Sequence, residues 1–410
     1  MFVIKPDDCR LPIKVWLPSE ESAEAECLEQ AKNLARLPFA FRHIALMPDT
    51  HLGFGMPVGG VLATEKVIIP NAVGVDIGCG MCFVPTDLPA AFLTDTLTPS
   101  GSLLQNIVGD IMRNVPTGFG KHREPQKSAV LDAERNSGRG SYAPVFNEIE
   151  NAYLQVGTLG GGNHFIEVQA DEDGKVGLMV HTGSRHLGFV IANYWNKVAE
   201  ELNAKWYSSV TKDMKLAFLP ADSNEGEAYI DCMNLALRFS EENRDTIMRV
   251  VMDTLRTHMD RQGCAVGFGE IINAHHNYAT LEHHFGKNVW VHRKGAISAR
   301  PDEAGIIPGA MGSNSFIVRG MGNPDSFTSS SHGAGRLFSR TQARREISVQ
   351  RVMEDLNAQG VVLGMRNKSD CADEARWAYK DIAEVIANET DLTIPVKTLR
   401  TLGVVKGGKD

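Results

Sequence analysis

Between Glu227 and Met259, Ile247, Val251, Leu255 and Met259 recur every fourth residue. That spacing predicts one long helix, or two abutting ones, with an apolar stripe that must be covered by a core. Around it the chain alternates unevenly. A helix is expected at "SAEAECLEQAKNLARL" and another at "VIANYWNKVAEELNAKWY". A third, "VQRVMEDLNAQ", is capped by Ser348 before it and Gly360 after it. Strands are expected at "HIALMP", "GGVLATE", "VIIPNAVGVDIG", "GLMVHTGS", "VWVHR", "SFIVRG" and "VVLGM". Scattered short strands without regular strand–helix alternation favour an α+β fold over a doubly wound sheet. No repeat or linker divides residues 1–410, so a single large domain is expected. Residues Gly118 to Pro144 lack periodicity and read as a mobile loop.

Composition excludes some functions. A formal net charge of −8 argues against a non-specific nucleic-acid coat, although it leaves room for one basic cleft. The N-terminus lacks a secretion pattern, and no run of roughly 18 apolar residues occurs. A cytoplasmic protein without a membrane partner is expected. Seven scattered cysteines do not form a disulfide framework. Glycine, at 39 residues, exceeds the usual ~7% and clusters in "GTLGGGNHF" and "GFGMPVGG", runs that let backbone approach a ligand.

The chemistry is concentrated in a few blocks. Asp76 and Cys79 stand three apart in a Gly-rich turn, and His164, His181 and the doublet His275-His276 sit in turn-rich contexts. A thiol, imidazoles and a carboxylate together form a first-row metal ligand set; softness favours Zn(II), Asp and solvent equally admit Mn(II), and spacing does not separate them. "MPDTHLGFG" places Asp49 and His51 in a turn where a substrate could reach both. The other histidines read as ordinary polar residues. His332 stands alone between a hydroxyl-rich run and Gly-Ala-Gly. Arg336, Arg340 and Arg344 share a face if the segment after Gly335 is helical, and "HGAG" would then form a phosphate-binding helix N-terminus favouring neutral imidazole.

Taken in order, "MPDTHLGFGMPVGGV", "VGVDIGCGM", "GTLGGGNHFIE", "HTGSR", "NAHHNY", "HRKGAISAR", "GIIPGAMG", "SSSHGAGR", "AYKDI" and a terminal "VVKG" resemble the RtcB family of RNA ligases, from about residue 40 onward. The resemblance implies a one-domain α+β fold. It also implies joining of RNA 3′-phosphate or 2′,3′-cyclic phosphate ends to 5′-hydroxyl ends with GTP and two Mn(II) ions. Matched residue by residue, Asp76, Cys79, His164, His181 and His276 would be metal ligands with Cys79 shared, and His332 the guanylylated nucleophile. Asp49 and Arg185 match positions near the RNA ends, and Arg336 and Arg340 match phosphate contacts. Asn163, Glu167, Asn277, Ser315, Ala334, Tyr379 and Lys406 match nucleotide-binding positions. An archease-type activator is needed by some relatives, and a monomer or weak oligomer is expected.

Two positions depart from the family pattern. Ala310 stands where serine is common, which removes a hydroxyl from the nucleotide site. His186 replaces a glycine after Arg185, which puts substrate preference in question. Two other functions compete with ligation: a metal-dependent cyclic-phosphate hydrolase or phosphatase with weak sealing, and a non-catalytic RNA-binding relative.

Overall fold

The computed structural model describes residues 1–137 and 142–408. Its longest element is the helix Asn224–Arg261, opened by Ser223, whose hydroxyl accepts the Gly226 N–H at 3.0 Å. The stripe Ile247, Val251, Leu255 and Met259 is fully buried. It packs against Val84, Leu178 and Val180 of a sheet and Ile107 and Ile111 of the helix Leu103–Asn114. Burying each large side chain stabilises the fold by about 1.5–3 kcal/mol. Toward its N-terminus the same helix buries Tyr229, Met233 and Phe239 with Leu187, Ile191 and Trp195 of the helix Arg185–Lys205. One helix therefore joins two cores, and the chain forms a single α+β domain.

Two mixed sheets hold most of the strands. The first has six strands, in the order Phe2–Ile4, Ile13–Val15, Ala40–His51, Val58–Thr64, Lys287–Lys294 and Asn277–His284. The second runs Ile272–His275, Gly80–Pro89, Lys175–Thr182, Phe165–Asp171, Thr393–Lys406, Ser315–Gly320 and Ala304–Ile307, with Val362–Gly364 parallel to Thr393–Lys406. Strands far apart in sequence are neighbours here, so distant blocks of the chain meet at one edge. All seven cysteines are free thiols. Among the described residues no helix is long and apolar enough to cross a membrane.

Three expectations need correction. "VIIPNAVGVDIG" is not one strand: only Val67–Ile68 pairs, and Pro70, which has no N–H for a ladder and a φ suited to a first turn, opens a helical turn Pro70–Val73. The segment expected to lack structure holds the helix Ala129–Arg135 and the start of Ala143–Tyr153. Ser128 caps the former, and the Glu242 carboxylate accepts the Ala129 N–H at 2.7 Å, while residues 138–141 lie outside the described residues. Nor does a helix follow Gly335 directly. Ser339 caps a seven-residue helix, Arg340–Glu346, so Arg336 lies off it and the "HGAG" step is not a helix N-terminus.

Candidate active site

Adjacent strands bring the thiol and imidazoles together. His181 faces Met81 on one side and Phe165 on the other, and the His276 N–H donates to the Cys79 carbonyl at 2.8 Å. Arg244, fully buried on the long helix, donates to the carbonyls of Gly78 (2.9 Å) and Thr182 (3.1 Å) and so ties the Cys79 turn to the His181 strand.

Cys79 Sγ lies 3.4 Å from His164 Nε2 and 3.3 Å from His181 Nε2. Asp76 Oδ2 lies 3.1 Å from His164 Nε2. His276 stacks edge-on to His181 at 5.1 Å, and its buried Nδ1 has no hydrogen-bond partner among the described residues. Burial lowers the pKa of all three imidazoles, which favours the neutral, ligating form. His181 Nδ1 lies 3.1 Å from the Asn163 carbonyl, which fixes a proton there and turns the Nε2 lone pair toward Cys79. Burial also pushes the Asp76 carboxyl up, but His164 and Arg185 outweigh it and hold the group at about 2. Burial and Asp76 together push the Cys79 thiol up. Lone pairs, a carboxylate and a protonated thiol converging on one space, with an imidazole nitrogen left unpaired, are a donor set that fits a divalent cation.

His332 follows the strand Ser329–Ser331, with its ring 4.7 Å from that of His276. The fully buried Asp49 Oδ2 accepts both the His332 backbone N–H at 3.1 Å and Nδ1–H at 2.6 Å. A carboxylate holding Nδ1–H leaves Nε2 as the free lone pair. This corrects the reading of Asp49 as substrate-accessible, since it is fully buried within the strand Ala40–His51 and its carboxylate is engaged by His332. His51 does line the cavity. Gly335, at φ +74°, lets the loop lie against Asp49, because a Cβ there would fall 2.1 Å from the Asp49 carbonyl oxygen.

His332 opens onto a cavity of about 340 Å³, a size suited to one small ligand. Asp76, Cys79, Asn163, Glu167, His181, His276, Asn277, Ala310, Ala334, Arg336, Arg340, Tyr379 and Lys406 line it. Ser315 does not: it is buried beneath the wall, its hydroxyl accepting the Gly309 N–H at 3.2 Å. Asn277 acts as a staple, donating to the Asp76 carbonyl and accepting the Gly295 N–H.

Sequence reasoning missed Glu374, the carboxylate at the centre of this wall. It accepts from Lys406 (2.8 Å) and the Tyr379 hydroxyl (2.8 Å) and lies 3.3 Å from Arg336. Arg336 therefore braces a protein carboxylate instead of standing free on a helix face. The nearby "AYKDI" block was the available signal. Lys294, also missed, lines the cavity with its amine on the carbonyls of Phe54 and Asn71; burial lowers its pKa to about 7.

The glycines of "GTLGGGN" have another role than ligand approach. A Cβ on Gly160 would collide with the Arg185 guanidinium, at 1.7 Å from Nη2, and Gly162 gives Arg340 room in the same way. Arg185 sits 3.1 Å from His164 Nδ1. His186, the second residue of the helix Arg185–Lys205, places its Nδ1 2.9 Å from the Glu148 carboxylate. Of the remaining histidines, His258 pairs with Asp110 and His283 with Asn288.

Behind the nucleophile, the fully buried Glu389 accepts the Ser331 N–H at 3.0 Å. Burial pushes its carboxyl up to about 8, against the opposing Ser331 bond. A carboxyl with a raised folded pKa binds more protons folded than unfolded, so its contribution falls as pH rises from the ordinary 4.5 to about 8. Glu389→Gln, which mimics the protonated form, is expected to show a smaller drop in Tm than the parent between pH 5 and 8. Parallel Tm curves would contradict this.

A family model described as tRNA-splicing ligase RtcB matches residues 30–407. The chain is 40% identical over 409 residues to RNA-splicing ligase RtcB1 of Escherichia coli strain ATCC 25922, covering 97% of both chains. It is 39% identical to RNA-splicing ligase RtcB of Escherichia coli strain K12, again over 97% of both. It is 31% identical to tRNA-splicing ligase RtcB of Thermococcus kodakarensis, over 97% of this chain and 95% of the relative.

Proposed function

The chain belongs to the RtcB family of RNA ligases, and on that footing we propose that it seals RNA 3′-phosphate ends to 5′-hydroxyl ends with GTP, through guanylylated His332. The observation that carries this reading is His332 itself, with Nδ1 held by a buried carboxylate, facing a ligand-sized cavity beside the thiol–imidazole cluster.

Asp76, Cys79, His164, His181 and His276 would hold two Mn(II) ions with Cys79 shared, and bound there the ions would neutralise charge on phosphate oxygens. The nucleotide would lie along Asn163, Glu167, Asn277, Ala334, Tyr379 and Lys406, with Ser315 supporting the Gly309 loop from beneath. Arg336 and Arg340 favour its phosphates from the Glu374 side. His332 Nε2 attacks the α-phosphorus of GTP, the N–P bond forms, and pyrophosphate leaves. Asp49 retains Nδ1–H and balances the charge on the ring. An oxygen of the RNA 3′-phosphate then displaces the histidine from the guanylyl phosphorus. The 5′-hydroxyl oxygen attacks the activated 3′-phosphorus, its proton passes to solvent, and GMP departs as the phosphodiester closes. A 2′,3′-cyclic end is first hydrolysed to the 3′-phosphate.

Repair of broken RNA or tRNA splicing in the cytoplasm, a monomeric or weakly oligomeric chain and an archease-type activator accompany this reading. The test mixes the protein with GTP, Mn(II), one RNA ending in 3′-phosphate and one beginning with 5′-hydroxyl. A joined product that requires GTP is expected. Hydrolysis of a cyclic end without joining would favour the hydrolase, and binding without chemistry the non-catalytic relative.

A further inference from the structure

Asp49 is fully buried, and His332 engages only one of its two carboxylate oxygens. The other, Oδ1, has no hydrogen-bond partner among the described residues. Backbone closes over it: Gly59 lies so near, at φ +79°, that a Cβ there would fall 2.8 Å from Oδ1. A buried carboxylate with a bare oxygen is costly unless a cation stands close and the chain around it is held firmly.

Lys380, in the "AYKDI" block, meets both needs from outside the cavity lining. Its Nζ donates to the carbonyl of Pro48 at 3.1 Å and to that of Thr50 at 2.5 Å, the two residues that flank Asp49. Burial lowers the pKa of this ammonium, and Asp49 opposes that shift more than Cys27 or Glu24 does. The amine is therefore the counter-charge in the field of the buried carboxylate.

The backbone of the same residue holds the other half of the pair. Lys380 N–H donates to the carbonyl of Gly335 at 2.9 Å, three residues beyond His332. Lys380 is itself fixed on both sides. Arg336 and Tyr379 form a bridge just before it, and just after it the Asp381 side chain accepts the Ala383 N–H at 2.9 Å and caps the helix Ile382–Ala387. One residue thus grips the Asp49 strand with its side chain and the His332 loop with its main chain.

We propose that Lys380 is a positioning residue for guanylylation: it holds Asp49 against His332 so that Nε2 stays on its line of attack. The inference rests on the ligase reading and deepens it, since Lys380 touches neither nucleotide nor RNA and acts through Asp49.

The experiment follows single-turnover labelling of the full-length protein by GTP labelled at the α-phosphate, with Mn(II), over a range of GTP concentrations. Lys380→Met keeps the length of the side chain and removes its charge and donors. It is expected to lower the maximal rate by roughly 100-fold, the scale of a reacting group moved out of alignment, with the GTP concentration at half-maximal rate unchanged. Lys380→Arg, which keeps charge and donors, should recover most of that loss. In an Asp49→Asn background, Lys380→Met should slow labelling no further. An RNA strand already carrying a guanylylated 3′-phosphate bypasses His332, and Lys380→Met should seal it to a 5′-hydroxyl strand at the parental rate. Labelling of Lys380→Met at the parental rate, a higher GTP requirement at unchanged maximal rate, equal slowing of the sealing step, or a loss additive with Asp49→Asn would each overturn the assignment. Failure of the parent to take up label would instead refute the ligase reading, and this inference with it.

Discussion

Asp49→Asn is expected to slow guanylylation of His332 by roughly 10³- to 10⁴-fold, the scale seen when a carboxylate behind a catalytic imidazole becomes an amide. The cause is tautomeric. Asp49 Oδ2 accepts both the backbone N–H and Nδ1–H of His332, so the ring presents a bare Nε2 to the cavity. An asparagine that turns its NH₂ to Nδ1 forces the proton onto Nε2 and removes the nucleophilic lone pair. The residue is isosteric and fully buried, so the fold should survive; circular dichroism checks this. Single-turnover label formation from GTP at the parental rate would show that Asp49 does not set the tautomer.

That pairing was not legible in the chain. Asp49 and His332 are 283 residues apart, and the nucleophile block carries no carboxylate of its own. What brings them together is the placement of the Ala40–His51 strand in one sheet and the register of Ala296–Ser298 on Ser329–Ser331, neither of which spacing reveals. By contrast, the stripe on the long helix was legible because helix periodicity is local, and the fold class followed from it and from the unevenly spaced strands. The Cys79, His164, His181 and His276 blocks could be recognised one by one, while their convergence needed the strand order. Arg336 misled because the i, i+4 pattern continued through "HGAGRLFS", yet Ser339 is the better cap and starts the helix later. The glycine run at Gly160 to Gly162 announced a close approach, but of two arginine side chains.

Cys79→Ser is expected to abolish binding of at least one Mn(II) and to slow both guanylylation and RNA joining by more than ~100-fold, since loss of a ligand exceeds the 10–100-fold typical of groups one shell further out. Cys79 Sγ lies within 3.4 Å of both His164 Nε2 and His181 Nε2, so it is the common point of the donor set. A serine hydroxyl resists deprotonation and is a harder, weaker donor than a thiolate. Calorimetric titration with Mn(II) reads the binding directly. Because binding must release the thiol proton that burial retains, parental affinity should rise with pH, and this slope should flatten in the variant. Unchanged stoichiometry and affinity would place the metal elsewhere.

The most direct measurement is the location of the covalent nucleotide. The protein is incubated with GTP labelled at the α-phosphate and Mn(II), digested under alkaline conditions that preserve a phosphoramidate, and its peptides are mapped by mass spectrometry. One GMP on His332, absent from His332→Ala, is the predicted result; no adduct, or an adduct on another residue that persists in His332→Ala, would contradict it.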